Sequence, residues 1–104
     1  AGSVDDVKKA FSKRQAIRWN VVAGDSQGHI MYLWNATVAQ RPDGIDPTCP
    51  IDGSSTSSGW KKMYDFNALP YEKDPDDGWF QNCNTAPWKV NIHTAIKQGD
   101  YPSW

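Results

Sequence analysis

The clearest pattern along the chain is a period-two alternation across residues 17–38. Ile17, Trp19, Val21 and Ala23 alternate with Arg18, Asn20 and Val22. Beyond Gly24-Asp25-Ser26-Gln27-Gly28, Ile30, Tyr32, Trp34 and Ala36 alternate with His29, Met31, Leu33 and Asn35. Successive strand side chains point to opposite faces, so two such runs around a Gly-bounded turn predict a β-hairpin. A lone hairpin is marginal in water, and further strands must cover its Trp- and Ile-bearing face. Residues 60–66 supply a third strand, with Trp60, Lys62, Tyr64 and Phe66 against Lys61, Met63 and Asp65; residues 79–83 supply a short fourth. Residues 88–94 supply another, with Trp88, Val90, Ile92 and Thr94 facing one way and Lys89, Asn91 and His93 the other. The expected fold is mainly β, a small antiparallel β-sandwich or curved sheet of about five strands with long loops.

Residues 1–14 follow a different pattern. Ser3 is placed to cap a short helix in which Val4, Val7 and Phe11 share a face. Asp5 and Asp6 stand at its start and Lys8, Lys9 and Lys13 toward its end, the favourable sense for the helix dipole. Ser12-Lys13-Arg14-Gln15 also resembles a dibasic, kexin-type processing site. That resemblance implies a mature chain beginning at Gln15 and a short pro-segment remnant, disordered or loosely docked. The organisation read from the sequence is an N-terminal helical or disordered segment, 1–14, and a single β-rich domain, 15–104, within the size range of one domain.

Composition changes the picture in one respect, the aromatic surplus. Six tryptophans exceed what a core of this size can hide, since each buries about 200 Å² when enclosed. Trp19, Trp34 and Trp88 sit mid-pattern among aliphatic residues and are expected in the core. Trp60 and Trp79 directly follow glycines and Trp104 ends the sequence; these three are the candidate binding residues, flat surfaces for a sugar ring or a partner side chain. Eleven basic and 12 acidic residues give a net charge of −1, which provides no basic face for nucleic acid. No apolar run approaches the length of a membrane span.

Cys49 and Cys83 lie among turn residues, and a disulfide between them would tie down the long loop 39–59. Closing that loop would stabilise the fold by roughly 4 kcal/mol in the chain-entropy model. Asn35-Ala36-Thr37 is an N-glycosylation sequon, consistent with secretion. Asp74-Pro75-Asp76-Asp77-Gly78 offers alternating oxygen ligands but lacks the spacing of a calcium loop, so Asp74, Asp76 and Asp77 form only a weak metal signal and no metal or other cofactor is expected. The serines of 54–58 read as a flexible loop. His29 and His93 are the only histidines; facing a common groove, they could act as acid and base.

Three resemblances bear on function. Asn91-Ile92-His93-Thr94 resembles the catalytic-histidine strand of the fungal guanyl-specific ribonucleases, although Glu72 lies in a loop beside Pro70 and no Arg follows Arg41. Residues 95–104 resemble a short stretch of haem catalases, whose length and ligand set this chain does not have. A small Trp-rich β domain with a dibasic site and one disulfide resembles the secreted effectors and toxins of fungi, including the MAX group, although Cys49 follows the hairpin instead of lying beside the first strand. The sequence therefore predicts a secreted, monomeric, disulfide-stapled protein of the effector or toxin type. It would work by binding a host or competitor protein or glycan, with enzymatic activity left open. The alternatives are a ribonuclease-like hydrolase using His29 and His93, or a carbohydrate-binding module dependent on tryptophan.

Overall fold

The computed structural model describes residues 1–46, 48–90 and 98–100. Helix α1, Val4–Phe11, begins where the pattern places it. The Ser3 hydroxyl accepts from the Asp6 N–H at 3.1 Å, and the Asp6 carboxylate accepts from the Gly2 N–H at 2.9 Å. The helix is firmly docked. Val4 is buried and donates its N–H to Asp25 Oδ2 at 3.2 Å. Lys73 Nζ meets Asp5 Oδ2 at 2.9 Å, and Lys8 Nζ sits 3.6 Å above the Tyr71 ring. Arg14, read from sequence as half of a processing site, donates from its guanidinium to the Tyr64 carbonyl.

Three antiparallel strands follow, β1 (Arg18–Gly24), β2 (Ile30–Ala36) and β3 (Tyr71–Lys73), in the order β1-β2-β3. The central position of β2 accounts for its burial: Met31, Tyr32 and Leu33 are fully enclosed. The turn between β1 and β2 is held by one carboxylate, since Asp25 Oδ1 accepts the N–H groups of both Gln27 and His29 at 3.0 Å. Desolvation pushes the Asp25 carboxyl up, but the N–H donors of Val4, His29 and Gln27 outweigh it and hold it below the usual carboxylate range.

The register corrects the expectation of a single Trp- and Ile-bearing face. Trp19 pairs with Asn35, Asn20 with Trp34, and Val21 with Leu33. Residues directly opposite share a face, so Trp19 and Trp34 lie on opposite sides of the sheet. A shift of one residue would reverse this, and the length of the turn sets the register. One face carries Val21, Met31, Leu33 and Asn35; Tyr71, opposite Leu33, brings α1 onto it through Lys8. The other carries Asn20, Tyr32, Trp34 and Ala36, against which Val38, Leu69, Tyr64, Phe66 and Trp88 gather into a core cluster. Trp19, expected in the core, is 65% exposed.

Among the described residues the sheet has three strands, where the sequence predicts about five. Residues 60–66 reduce to one bridge, Ala39 to Met63, with Gln40 N–H donating to the Lys62 carbonyl at 2.7 Å and Tyr64 N–H to the Val38 carbonyl at 2.8 Å. Phe66–Ala68 is a 3-10 turn. Residues 79–83 form no strand, and the start of the predicted last strand is a 3-10 turn, Pro87–Lys89, in which Pro87 fixes the first helical dihedral. The remainder of that strand, 91–94, lies outside the described residues. Strand β3 occupies a segment that reads as turns. It is too short to display alternation, and it is held by pairing with β2, with Trp34 N–H donating to the Pro70 carbonyl at 2.9 Å and Asp74 N–H to the Ile30 carbonyl at 3.0 Å.

Tyr32 gives this core a measurable signature. Its hydroxyl donates to Asn20 Oδ1 at 2.9 Å, and burial pushes its pKa up to about 12. The phenol of the unfolded chain ionises near 10, so between the two values the unfolded state has lost a proton that the native state keeps, and stability falls as pH rises. The expected loss across that interval is about 2–3 kcal/mol. Denaturant unfolding from pH 9 to 12 is expected to show it, and Tyr32→Phe to remove it.

Candidate functional site

The second face of the sheet does not close completely. A groove of about 780 Å³ opens between β1 and β2 on one side and residues 84–89 on the other. Its apolar walls come from Trp34, Val38, Trp60, Pro87 and Trp88, and its polar lining includes Arg18, Asn20, Arg41, Asn84 and Lys89. Among the described residues its charged lining is Arg18, Arg41 and Lys89, with no carboxylate, a lining that suits a ligand combining an apolar group with negative charge.

Local structure explains how Asn84 comes to the rim. Pro75-Asp76-Asp77-Gly78 turns the chain, with Gly78 at φ 73° and its N–H donating to the Pro75 carbonyl at 2.8 Å. Beyond the turn, Phe80 reaches Tyr32 at a ring separation of 6.2 Å. The Asn82 side chain donates to the Thr85 carbonyl at 3.5 Å, and Asn84 between them adopts φ 56°. Three described non-glycine residues have positive φ, namely Arg14, Asp74 and Asn84, and of these only Asn84 lines the groove. Asn tolerates this left-handed conformation better than most residues, and an outlier at a cleft is grounds for a functional hypothesis. The sequence reading missed Asn84, Asn20 and Arg18; the signal available was the turn composition of Asn82-Cys83-Asn84-Thr85.

The candidates named from sequence are scattered. Trp60, 69% exposed, lines the groove; Trp79, 64% exposed, lines a separate cleft with Glu72, Asp74, Asp76 and Asp77. Trp104 and His93 lie outside the described residues. His29 is a turn staple: its Nδ1 lies 2.8 Å from Asp74 Oδ2, while Asp74 Oδ1 accepts the Ile30 N–H at 2.9 Å. Among the described residues, no group of three or more His, Cys, Asp and Glu is placed to hold a metal ion. Asn35 is buried, and the amide nitrogen a glycan would occupy donates to the Ala16 carbonyl at 2.9 Å. The predicted disulfide is corrected. Cys49 and Cys83 are free, exposed thiols on different loops, and Cys49 Sγ lies 3.6 Å from the Asp46 carboxylate within its own turn. No described helix is long and apolar enough to cross a membrane.

The His29–Asp74 staple is expected to act on stability in acid. The Ile30 N–H is the main cause holding the Asp74 carboxyl below the usual carboxylate range, with His29 adding to it against some desolvation. A depressed carboxylate contributes stability above its unfolded pKa and loses it as pH falls through the folded one. Asp74→Asn is therefore expected to lower the melting temperature at pH 6, with the gap from the parent closing below about pH 4; circular dichroism melts across that range check it.

Comparison with known proteins gives this geometry a setting. The family model for penicillin amidase matches residues 1–104. Penicillin G acylase from Escherichia coli is 30% identical over 76 residues, covering 73% of this chain and 9% of that protein. The structure of a thermostable penicillin G acylase from Alcaligenes faecalis superposes with a TM-score of 0.66 and 26% identity, over 85% of this chain and 16% of that one. The chain thus spans less than a tenth of the E. coli relative. The matches overturn the expectation of a disulfide-stapled effector or toxin, and with it the ribonuclease and carbohydrate-module alternatives: over its whole length the chain belongs to the penicillin amidase family.

Proposed function

We propose that this chain is a section of an amide-bond hydrolase and that the groove between the sheet and residues 84–89 is part of its substrate cleft. The observation that carries the reading is the left-handed Asn84 on the rim of an apolar, cationic groove. Amide hydrolysis passes through a tetrahedral intermediate whose carbonyl oxygen becomes an anion, and a fixed N–H donor there stabilises the transition state. A carboxamide is such a donor and does not titrate. In this reading Asn84 points its amide at the developing oxyanion, the indoles of Trp34, Trp60 and Trp88 hold the apolar acyl group, and Arg18 attracts a carboxylate on the substrate. The attacking nucleophile and its base are assigned to other parts of a longer polypeptide, in keeping with the length of the relatives.

The test is hydrolysis by the native protein of two chromogenic arylacetamides, one releasing a neutral nitroaniline and one an amino-nitrobenzoate. Release of both amines, with the carboxylated substrate preferred, is the expected result. Arg18→Glu is expected to raise KM about tenfold for the carboxylated substrate, equivalent to ~1.4 kcal/mol, and to leave the neutral one unchanged. No turnover of any arylacetamide would overturn the proposal.

A further inference from the structure

We infer that the outer edge of β1 is the docking site for an extended strand from the remainder of a longer acylase polypeptide, which continues the sheet and closes the groove beside Arg18 and Asn20. This rests on the reading of the chain as a section of a larger enzyme. The backbone orientation follows from two hydrogen bonds. The Ile17 carbonyl accepts from Thr37 N–H at 3.1 Å, and Asp25 N–H donates to the His29 carbonyl at 3.0 Å. Odd-numbered residues of β1 therefore present their backbone groups to β2. The N–H and C=O groups of Arg18, Asn20, Val22 and Gly24 face the other way, in the alternation of an antiparallel ladder. Among the described residues no strand pairs with that side.

Proteins blunt a true sheet edge with short strands, bulges, prolines or inward-pointing charges. Beyond Arg18 at its start, β1 has none of these devices among the described residues. It runs seven residues in unbroken register, and apolar side chains stand exposed along it and at its start: Val22 is 51% exposed, Trp19 on the opposite face 65%, and Ile17, directly before the strand, 77%. Beside Trp19, a cleft of about 390 Å³ lies between Phe11 of α1 and Val21, lined also by Ala16. Unpaired backbone together with apolar side chains on both faces matches an extended peptide that adds a strand and sets alternate side chains into pockets. The occupant is then a strand with apolar residues at alternate positions. Its source follows from length, because the matched section is 9% of one relative and 16% of another. Side chains of an added strand on the Asn20 face would stand beside the groove, so the docked segment would furnish the wall that β1 lacks.

The experiment is photo-crosslinking in the native, full-length protein with Trp19→p-benzoylphenylalanine, an aromatic replacement at an exposed position, followed by peptide mapping. A link within one polypeptide, to a peptide outside residues 1–104, is the expected result. A link to a second copy, a link inside residues 1–104, or no link would overturn the proposal. Hydrogen exchange in the unsubstituted protein provides a variant-free check: the Asn20 and Val22 amides are expected to exchange at least ~100-fold more slowly than an unstructured chain, and free exchange there while Val21 and Ala23 stay protected would refute the added strand. Intact mass separates the two readings. A native protein of 104 residues would defeat the section reading by itself, whereas a long polypeptide with an unprotected β1 edge would defeat only the docking.

Discussion

Asn84→Gly in the native protein is expected to lower kcat for arylacetamide hydrolysis by roughly 10²–10³-fold with little change in KM, the loss typical of removing one oxyanion donor. Glycine is the informative replacement. Asn84 sits at φ 56°, where glycine carries no steric penalty, so the variant keeps the backbone and removes only the carboxamide. If Asn84 served only to make the turn, Asn84→Gly would retain full activity and Asn84→Ala would lose stability. A donor role predicts that both variants lose kcat together, because the interaction exists only in the transition state. Asn84→Asp keeps the size and the tolerance of the left-handed region but exchanges a donor for a carboxylate. It is expected to fall at least as far, since like charge would then face the developing oxyanion. Single-turnover kinetics on the folded variants, with circular dichroism to verify the fold, decide between the two roles.

Leu33→Ala is expected to destabilise the fold by about 2–5 kcal/mol. Leu33 is fully buried at the middle of the central strand, between Val21 of β1 and Tyr71 of β3, on the face that α1 covers. Neighbours on three sides belong to three different elements, and none can collapse into the vacated space without breaking its own hydrogen bonds. The loss is a large fraction of the net stability typical of a folded domain. Leu33→Met, which nearly conserves volume, is expected to stay within about 1.5 kcal/mol. Ile51→Ala, in an exposed loop, is expected to stay within about 0.5 kcal/mol. Urea unfolding of the three variants measures the difference; equal midpoints for Leu33→Ala and Ile51→Ala would contradict the assigned core.

What the sequence determined by itself was local. The capped helix from Val4 and the hairpin from Arg18 to Ala36 are visible in it, because capping and period-two alternation are set by neighbouring residues. The net charge and the absence of a long apolar run were equally legible. Alternation also misled. Residues 60–66 alternate as a strand would, yet only Ala39 and Met63 pair, since a loop packing every second side chain onto a core leaves the same trace. The reverse holds at Tyr71–Lys73, where three residues are too few to show a period and Trp34 and Ile30 supply the pairing.

The functional readings failed for a related reason. Two cysteines among turn residues suggest a disulfide, but whether their sulfurs meet depends on loop paths that no local pattern encodes, and here both thiols are free. Family membership came from agreement over the whole length, not from any short motif. The tertiary structure alone decided the register that separates Trp19 from Trp34, the third strand, and the groove that joins Arg18 and Asn20 to Asn84 across more than 60 residues of sequence. Period and capping are fixed by residues a few positions apart, whereas register, strand partners and cleft walls depend on burial shared between distant segments.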